Sequence, residues 1–262
     1  MNKITAFSVL SLIMAACTPF KPALNNADAL TEYPVKGRQG LLINQKISFD
    51  TYTSSRVKRS WTKGGNTRLP VAVNPVVDFW YPELLAVDAT DKSQTFCFQL
   101  SDGLQNHSDA YASAHFETER LLVGNNPNSV VNIMRDVMSV DIDRENMFYA
   151  QVFINQDAKP WQLVLDNIES QKNAKQYTGL FEYDKGRYYQ LKPITHLQTS
   201  QGPKAVWMGS VGYEISNPAG QTVAAVSLMD KGMVYLSNAN AEERFLLANL
   251  CTILLLQQNL AE

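Results

Sequence analysis

An antiparallel sheet curled or closed around one hydrophobic C-terminal helix is the fold this sequence predicts, and three features predict it. The stretch "RFLLANLCTILLLQQNL" near the end is apolar on almost every side. Short strand-like runs separated by turn residues fill most of what precedes it. The apolar share, 45% of 262 residues at a net charge of −2, is that of an ordinary globular core and argues against disorder and bulk nucleic-acid binding. The alternative architecture is an α+β sandwich with the helix on one face.

Lys3 gives the chain a positive start, Ile4 to Met14 are mostly apolar, and Ala15 and Ala16 stand directly before Cys17. That order is a secretory signal peptide, too short to cross a hydrocarbon core of ~30 Å. The run "MAAC", Met14 to Cys17, resembles the bacterial lipobox, with Met where Leu is usual. The resemblance implies cleavage after residue 16 and a lipid anchor on Cys17. Two or three acyl chains such as palmitate hold stably where one binds marginally. Thr18, not Asp, follows the Cys, which favours the outer membrane within a Gram-negative envelope. Residues 17–32 have no periodicity to bury and read as the lipidated Cys and a flexible tether. Residues 33–262 then form a single β-rich domain.

"GLLIN" and "KISFDTYTSSRVKRSW" read as a paired start, with Ile47, Phe49, Val57 and Trp61 at alternating positions. "KGGNTR" reads as a turn, "DFWYP" (78–82) as core aromatics, and "SVVNIMRDVMSVDI" fits strand or helix. "MFYAQVFIN" and "WQLVLD" flank "QDAKP" as a hairpin, "VGYEI" enters a turn at "SNPAG", and two further hairpins close at Asp184-Lys185-Gly186 and Asp230-Lys231-Gly232. In each of those last two a three-residue loop ends on Gly, which suits a left-handed backbone there.

Asn240 caps the final helix, and Glu243 stands where a capping box needs it. From Phe245 to Leu256 only Asn249 and Thr252 interrupt the apolar run. A helix apolar all round must be enclosed by lipid or by protein. These twelve residues reach roughly 18 Å, too short for a bilayer, so protein encloses them. The pattern from Gly212 to Leu256, late hairpins and then an apolar helix, is similar to the end of the tubby and scramblase superfamily. That resemblance implies a closed barrel threaded by the helix.

Chemistry is sparse. His107, His115 and His196 stand apart, and "HFETE" lacks the second His of a zinc helix. Ser210 in "MGSVG" lacks the glycine two places before it that a nucleophile elbow needs. Asp141, Asp143 and Glu145 share one strand face but have no Gly turn, so a solvated face is preferred to a Ca²⁺ or Mg²⁺ site. Cys97 and Cys251 lie in apolar settings where either a disulfide or two buried thiols fit, and neither setting activates a thiol. No cofactor or metal is expected.

What remains is charge. Eight basic residues lie between Lys36 and Arg68 against the acid Asp50. Arg56 and Lys58 share one strand face, and Val57, Arg59 and Trp61 the other. Arg56, Lys58, Arg59 and Lys63 are the candidate contacts to an anionic surface. The functional expectation is a membrane-anchored envelope lipoprotein acting as a non-catalytic binding or assembly module toward envelope proteins. Binding of anionic lipid or glycolipid headgroups is the first alternative, and an envelope hydrolase the second.

Overall fold

The computed structural model describes residues 21–39, 44–61, 63–70, 86–117, 145–207 and 209–257. Cys17 and the signal segment, residues 78–82, residues 129–142 and Asp143 lie outside the described residues. In chain order the elements are β1 (Lys21–Pro22), β2 (Leu30–Pro34), β3 (Ser48–Phe49), β4 (Tyr52–Ser54), β5 (Lys58–Arg59), β6 (Lys63–Pro70), β7 (Ala86–Ser101), β8 (His107–Glu117) and β9 (Glu145–Ile154). Then come β10 (Trp161–Asp166), the short helix α1 (Asn167–Lys172), β11 (Gly179–Asp184), β12 (Arg187–Pro193), β13 (His196–Thr199) and β14 (Gly202–Ala205). The chain closes with β15 (Gly212–Ser216), β16 (Thr222–Ser227), β17 (Met233–Ser237) and the helix α2 (Ala241–Leu256).

Among the described residues, twelve strands follow one antiparallel path, β2-β17-β16-β15-β12-β11-β10-β9-β8-β7-β4-β3, with β5 and β6 also paired to β7. The ends of this path meet just past β2, where Lys36 and Ser48 exchange both backbone hydrogen bonds at 2.9 and 3.0 Å. Gly37 makes that junction possible. Its φ is +81°, and a Cβ there would lie 1.9 Å from the carbonyl oxygen of Lys46. The sheet thus rolls into a nearly closed barrel, its two ends joined by this one bridge.

The helix α2 occupies the interior. Every residue from Phe245 to Leu256 is buried, which answers the demand of an all-round apolar helix. Its nearest walls are β16, β17, β8 and β9. Several of the facing residues are small: Ala110, Ala112, Ala114, Ala150 and Ala224. A helix with side chains is ~10–12 Å across, and alanines leave it that room. Its two polar residues are satisfied. Asn249 Nδ2 donates to the Phe245 carbonyl at 2.9 Å while its Oδ1 accepts from Ser108 Oγ at 2.5 Å, and Thr252 Oγ1 donates to the Ala248 carbonyl at 2.8 Å. Asn240 caps the helix by accepting from the Glu243 backbone at 2.9 Å. The Glu243 carboxylate takes the Tyr189 hydroxyl at 3.0 Å rather than closing a capping box.

The alternation on β7 and β8 is apolar inward and polar outward, with Phe96, Phe98 and Leu100 inside and Thr95 and Gln99 outside. This is the reverse of a barrel that faces lipid. Among the described residues no helix is long and apolar enough to cross a membrane.

Several expectations need correction. The described part of the expected tether, residues 21–32, is folded: β1 pairs with β13, and β2 pairs with β17. Leu24 and Leu30 seal an outer apolar cluster with Ile194, Ala225 and Tyr235, so this stretch does bury apolar surface, without a regular period. "KGGNTR" is not a turn but most of β6, paired to β7 along its length. Trp61, which alternates with the buried Val57, is 79% exposed. The strand ends at Arg59, level with the last carbonyl of α2, so a residue two places on lies past the core. At the β11–β12 hairpin, Asp184 pairs with Arg187 and leaves a two-residue turn held by the Asp184 carboxylate, and Gly186 does not take a positive φ. Gly232 does, at +90°, in the β16–β17 turn. Cys97 and Cys251 are both free. Cys97 points outward from β7, whereas Cys251 faces Ala225 inside the barrel, so the sheet wall separates them.

Candidate functional site

The basic segment divides by strand parity. Val57 is buried and Arg59 follows it inward, while Arg56, Lys58 and Lys63 are exposed. The Arg59 guanidinium reaches the C-terminal end of α2. There Nη2 donates to the Leu256 carbonyl at 2.7 Å, Nη1 donates to Gln94 Oε1 at 2.7 Å, and the group lies 4.8 Å from the Phe96 ring centre. Arg38 does the same from the other side, donating to the carbonyls of Leu255 at 2.9 Å and Leu228 at 2.8 Å. The last carbonyls of a helix have no partner within it and carry its negative partial charge. Two arginines therefore cap α2. Burial lowers both guanidinium pKa values from the ordinary one, though an arginine starts so high that it stays cationic. Arg59, half-buried, is thus committed to the helix end, whereas Arg56, Lys58 and Lys63 are exposed.

Arg56 and Lys58 stand beside a concavity on the outer wall. A cavity of ≈ 640 Å³ crosses β5, β7, β8, β9 and β10. Short side chains, Ser60, Thr95, Cys97 and Ser113, leave the space, and Lys58, Tyr111, Tyr149 and Gln151 bound it. A second hollow of ≈ 420 Å³ continues it past Lys58, Cys97 and Tyr111 to Arg56 and Asp109. Among the described residues Asp109 is the one carboxylate on either lining, and its Oδ1 already accepts from Gln99 at 2.9 Å. Tyr111 is 52% exposed and packs edge-on against Phe153 at 6.1 Å. The groove is thus apolar to aromatic in its body and basic at one rim, and this suits an anionic ligand with apolar groups.

The remaining candidates do not converge. His107 and His115 sit near opposite ends of β8 and His196 on β13. The Ser210 hydroxyl meets the Gln171 side-chain amide at 3.4 Å, not a base. Among the described residues no three His, Cys, Asp or Glu gather as metal ligands. The meeting of Tyr111 and Cys97 in one groove had no sequence signal, because alternation tells which residues face outward but not which of them meet. Arg38 had no signal either, lying 217 residues from its helix partner. No family model, no curated protein and no solved structure matches this chain.

Proposed function

We propose that this chain is a lipid-anchored envelope protein, held through Cys17, whose barrel is a non-catalytic module that binds an anionic segment of another envelope protein in the groove across β5 and β7–β10. The observation that carries the reading is the pairing of exposed Arg56 and Lys58 with an aromatic-walled cavity of ≈ 640 Å³. Charge complementarity selects an acidic segment, and the exposed Tyr111 offers it a flat apolar contact. The lipobox resemblance supports the anchor, and Thr18 favours the outer membrane. Likeness to the tubby and scramblase superfamily stays a proposal about architecture: a twelve-strand path around an apolar C-terminal helix supports it, and no activity is carried over from it.

The test is fluorescence anisotropy of a labelled ten-residue peptide alternating Glu and Tyr, titrated with protein starting after Cys17. Binding should weaken as salt shortens the Debye length from ~10 Å at 0.1 M to ~3 Å at 1 M. Arg56→Ser with Lys58→Ser should lower affinity roughly tenfold at low salt, as a loss of ~0.5 to 1 kcal/mol per exposed charge contact. No binding by the wild type, or equal binding by the double variant, contradicts the proposal. If anionic liposomes in place of the peptide show the Arg56 and Lys58 dependence, the headgroup reading replaces it.

A further inference from the structure

We propose that the three-stranded sheet β1-β13-β14 and the loop after it form the face that rests on the bilayer, with Trp207 in the headgroup layer and Lys172, Lys175 and Lys204 against its phosphates. This rests on the reading that Cys17 carries the anchor. Only four residue steps separate Cys17 from Lys21, a reach of at most ~14 Å. Lys21 is fixed to the fold, paired with Gln198 and held by both carboxylate oxygens of Glu32 at 2.8 Å. The lipid therefore cannot stand far from this sheet.

From Pro22, Leu197 and then Lys204 follow in neighbouring strands, ~10 Å across. Trp207 is three residues further along. It is 98% exposed, so its indole lies on no protein surface. One exposed apolar side chain needs no explanation by itself. Trp207, however, edges a hollow of ≈ 480 Å³ between α1 and the loop, lined also by Lys172, Lys175 and His196 and, among the described residues, by no carboxylate. None of Lys172, Lys175 and Lys204 is held by an acid among the described residues. An indole beside unpaired ammonium groups is the chemistry of a membrane interface.

The placement also orients the groove. Leu24 and Leu30 pack with Ala225 of β16 and Tyr235 of β17, and Asn25 donates to Glu214 of β15, while the groove lies over β7–β10, about half the circuit away. With the first face on the bilayer, the groove opens away from it, toward whatever the envelope presents.

The test uses the full lipidated chain in phosphatidylethanolamine and phosphatidylglycerol vesicles. An environment-sensitive fluorophore is placed on Trp207→Cys or on Tyr111→Cys, each with Cys97→Ser, and compared with the same labelled proteins made unlipidated by Cys17→Ala. The label at 207 should brighten and shift to the blue on the vesicles, and the label at 111 should not change. Flotation with vesicles but a response at 111, or at neither position, overturns the proposed face while leaving the anchor intact. Failure to float, unchanged by Cys17→Ala, overturns the anchor and this face together. Trp207 is exposed, so its replacement leaves the fold unburdened.

Discussion

Replacing Arg59 by Met keeps length and apolar stem but removes the charge that closes α2. The wild-type group makes two hydrogen bonds of 2.7 Å, one of them to the Leu256 carbonyl at the helix end. A charged hydrogen bond contributes ~1.5–3 kcal/mol, and a cation at a partly buried helix C-terminus up to ~2 kcal/mol. These overlap, since both describe the same carbonyl. Three things offset the loss: the Arg59 Nε is buried without a partner, the desolvation of the cation is relieved, and Arg38 still holds the neighbouring Leu255 carbonyl. The net destabilisation should be ~2 kcal/mol, or roughly 4–8 °C in Tm for a domain of this size. Lys58→Ser, one residue away and facing out, should change stability by no more than ~0.5 kcal/mol. Urea unfolding of the two variants beside wild type, followed by circular dichroism, measures both. Equal midpoints for the two variants would refute the assignment of Arg59 to the helix end, and a large loss in Lys58→Ser would refute the strand parity itself.

Leu250→Ala should cost ~2–5 kcal/mol by the same assay, since Leu250 is fully buried among core residues, and a chain ending at Asn240 should be unfolded or aggregated. A disulfide reagent should titrate one thiol in the native soluble protein, Cys97, and a second only in denaturant; burial pushes the Cys251 thiol up and closes it to reagent. Two native thiols reacting together would mean that the helix is not enclosed.

The helix and its surroundings were legible because one feature, apolarity on every side over a length too short for a bilayer, has few physical solutions. The late hairpins were legible because turn residues punctuate alternating runs, and the loop ending at Gly232 took the conformation expected of it. Gly186 shows the limit: the same Asp-Lys-Gly string closed differently once Asp184 bonded to the Gly186 and Arg187 backbones. Strand parity separated Arg59 from Arg56 and Lys58. It could not reveal that β5 ends at the level of the α2 carbonyls, which leaves Trp61 outside. The segment before β2 lacked a pattern because its regular pieces, the two-residue β1 and a single 3-10 turn at Ala27–Ala29, are too short to show a period, and the rest packs as irregular cover. The groove was invisible for a related reason, being assembled by outward residues from five strands.

Cys97 supplies the most direct measurement, because this natural thiol lies within the groove. The rate at which a bulky maleimide modifies it should be the same for the lipid-anchored chain on vesicles as for the soluble protein. The Glu and Tyr peptide should slow that rate in wild type and leave it unchanged in Arg56→Ser with Lys58→Ser. A Cys97 already shielded on vesicles, and indifferent to the peptide, would contradict an outward-facing groove that binds an anionic segment.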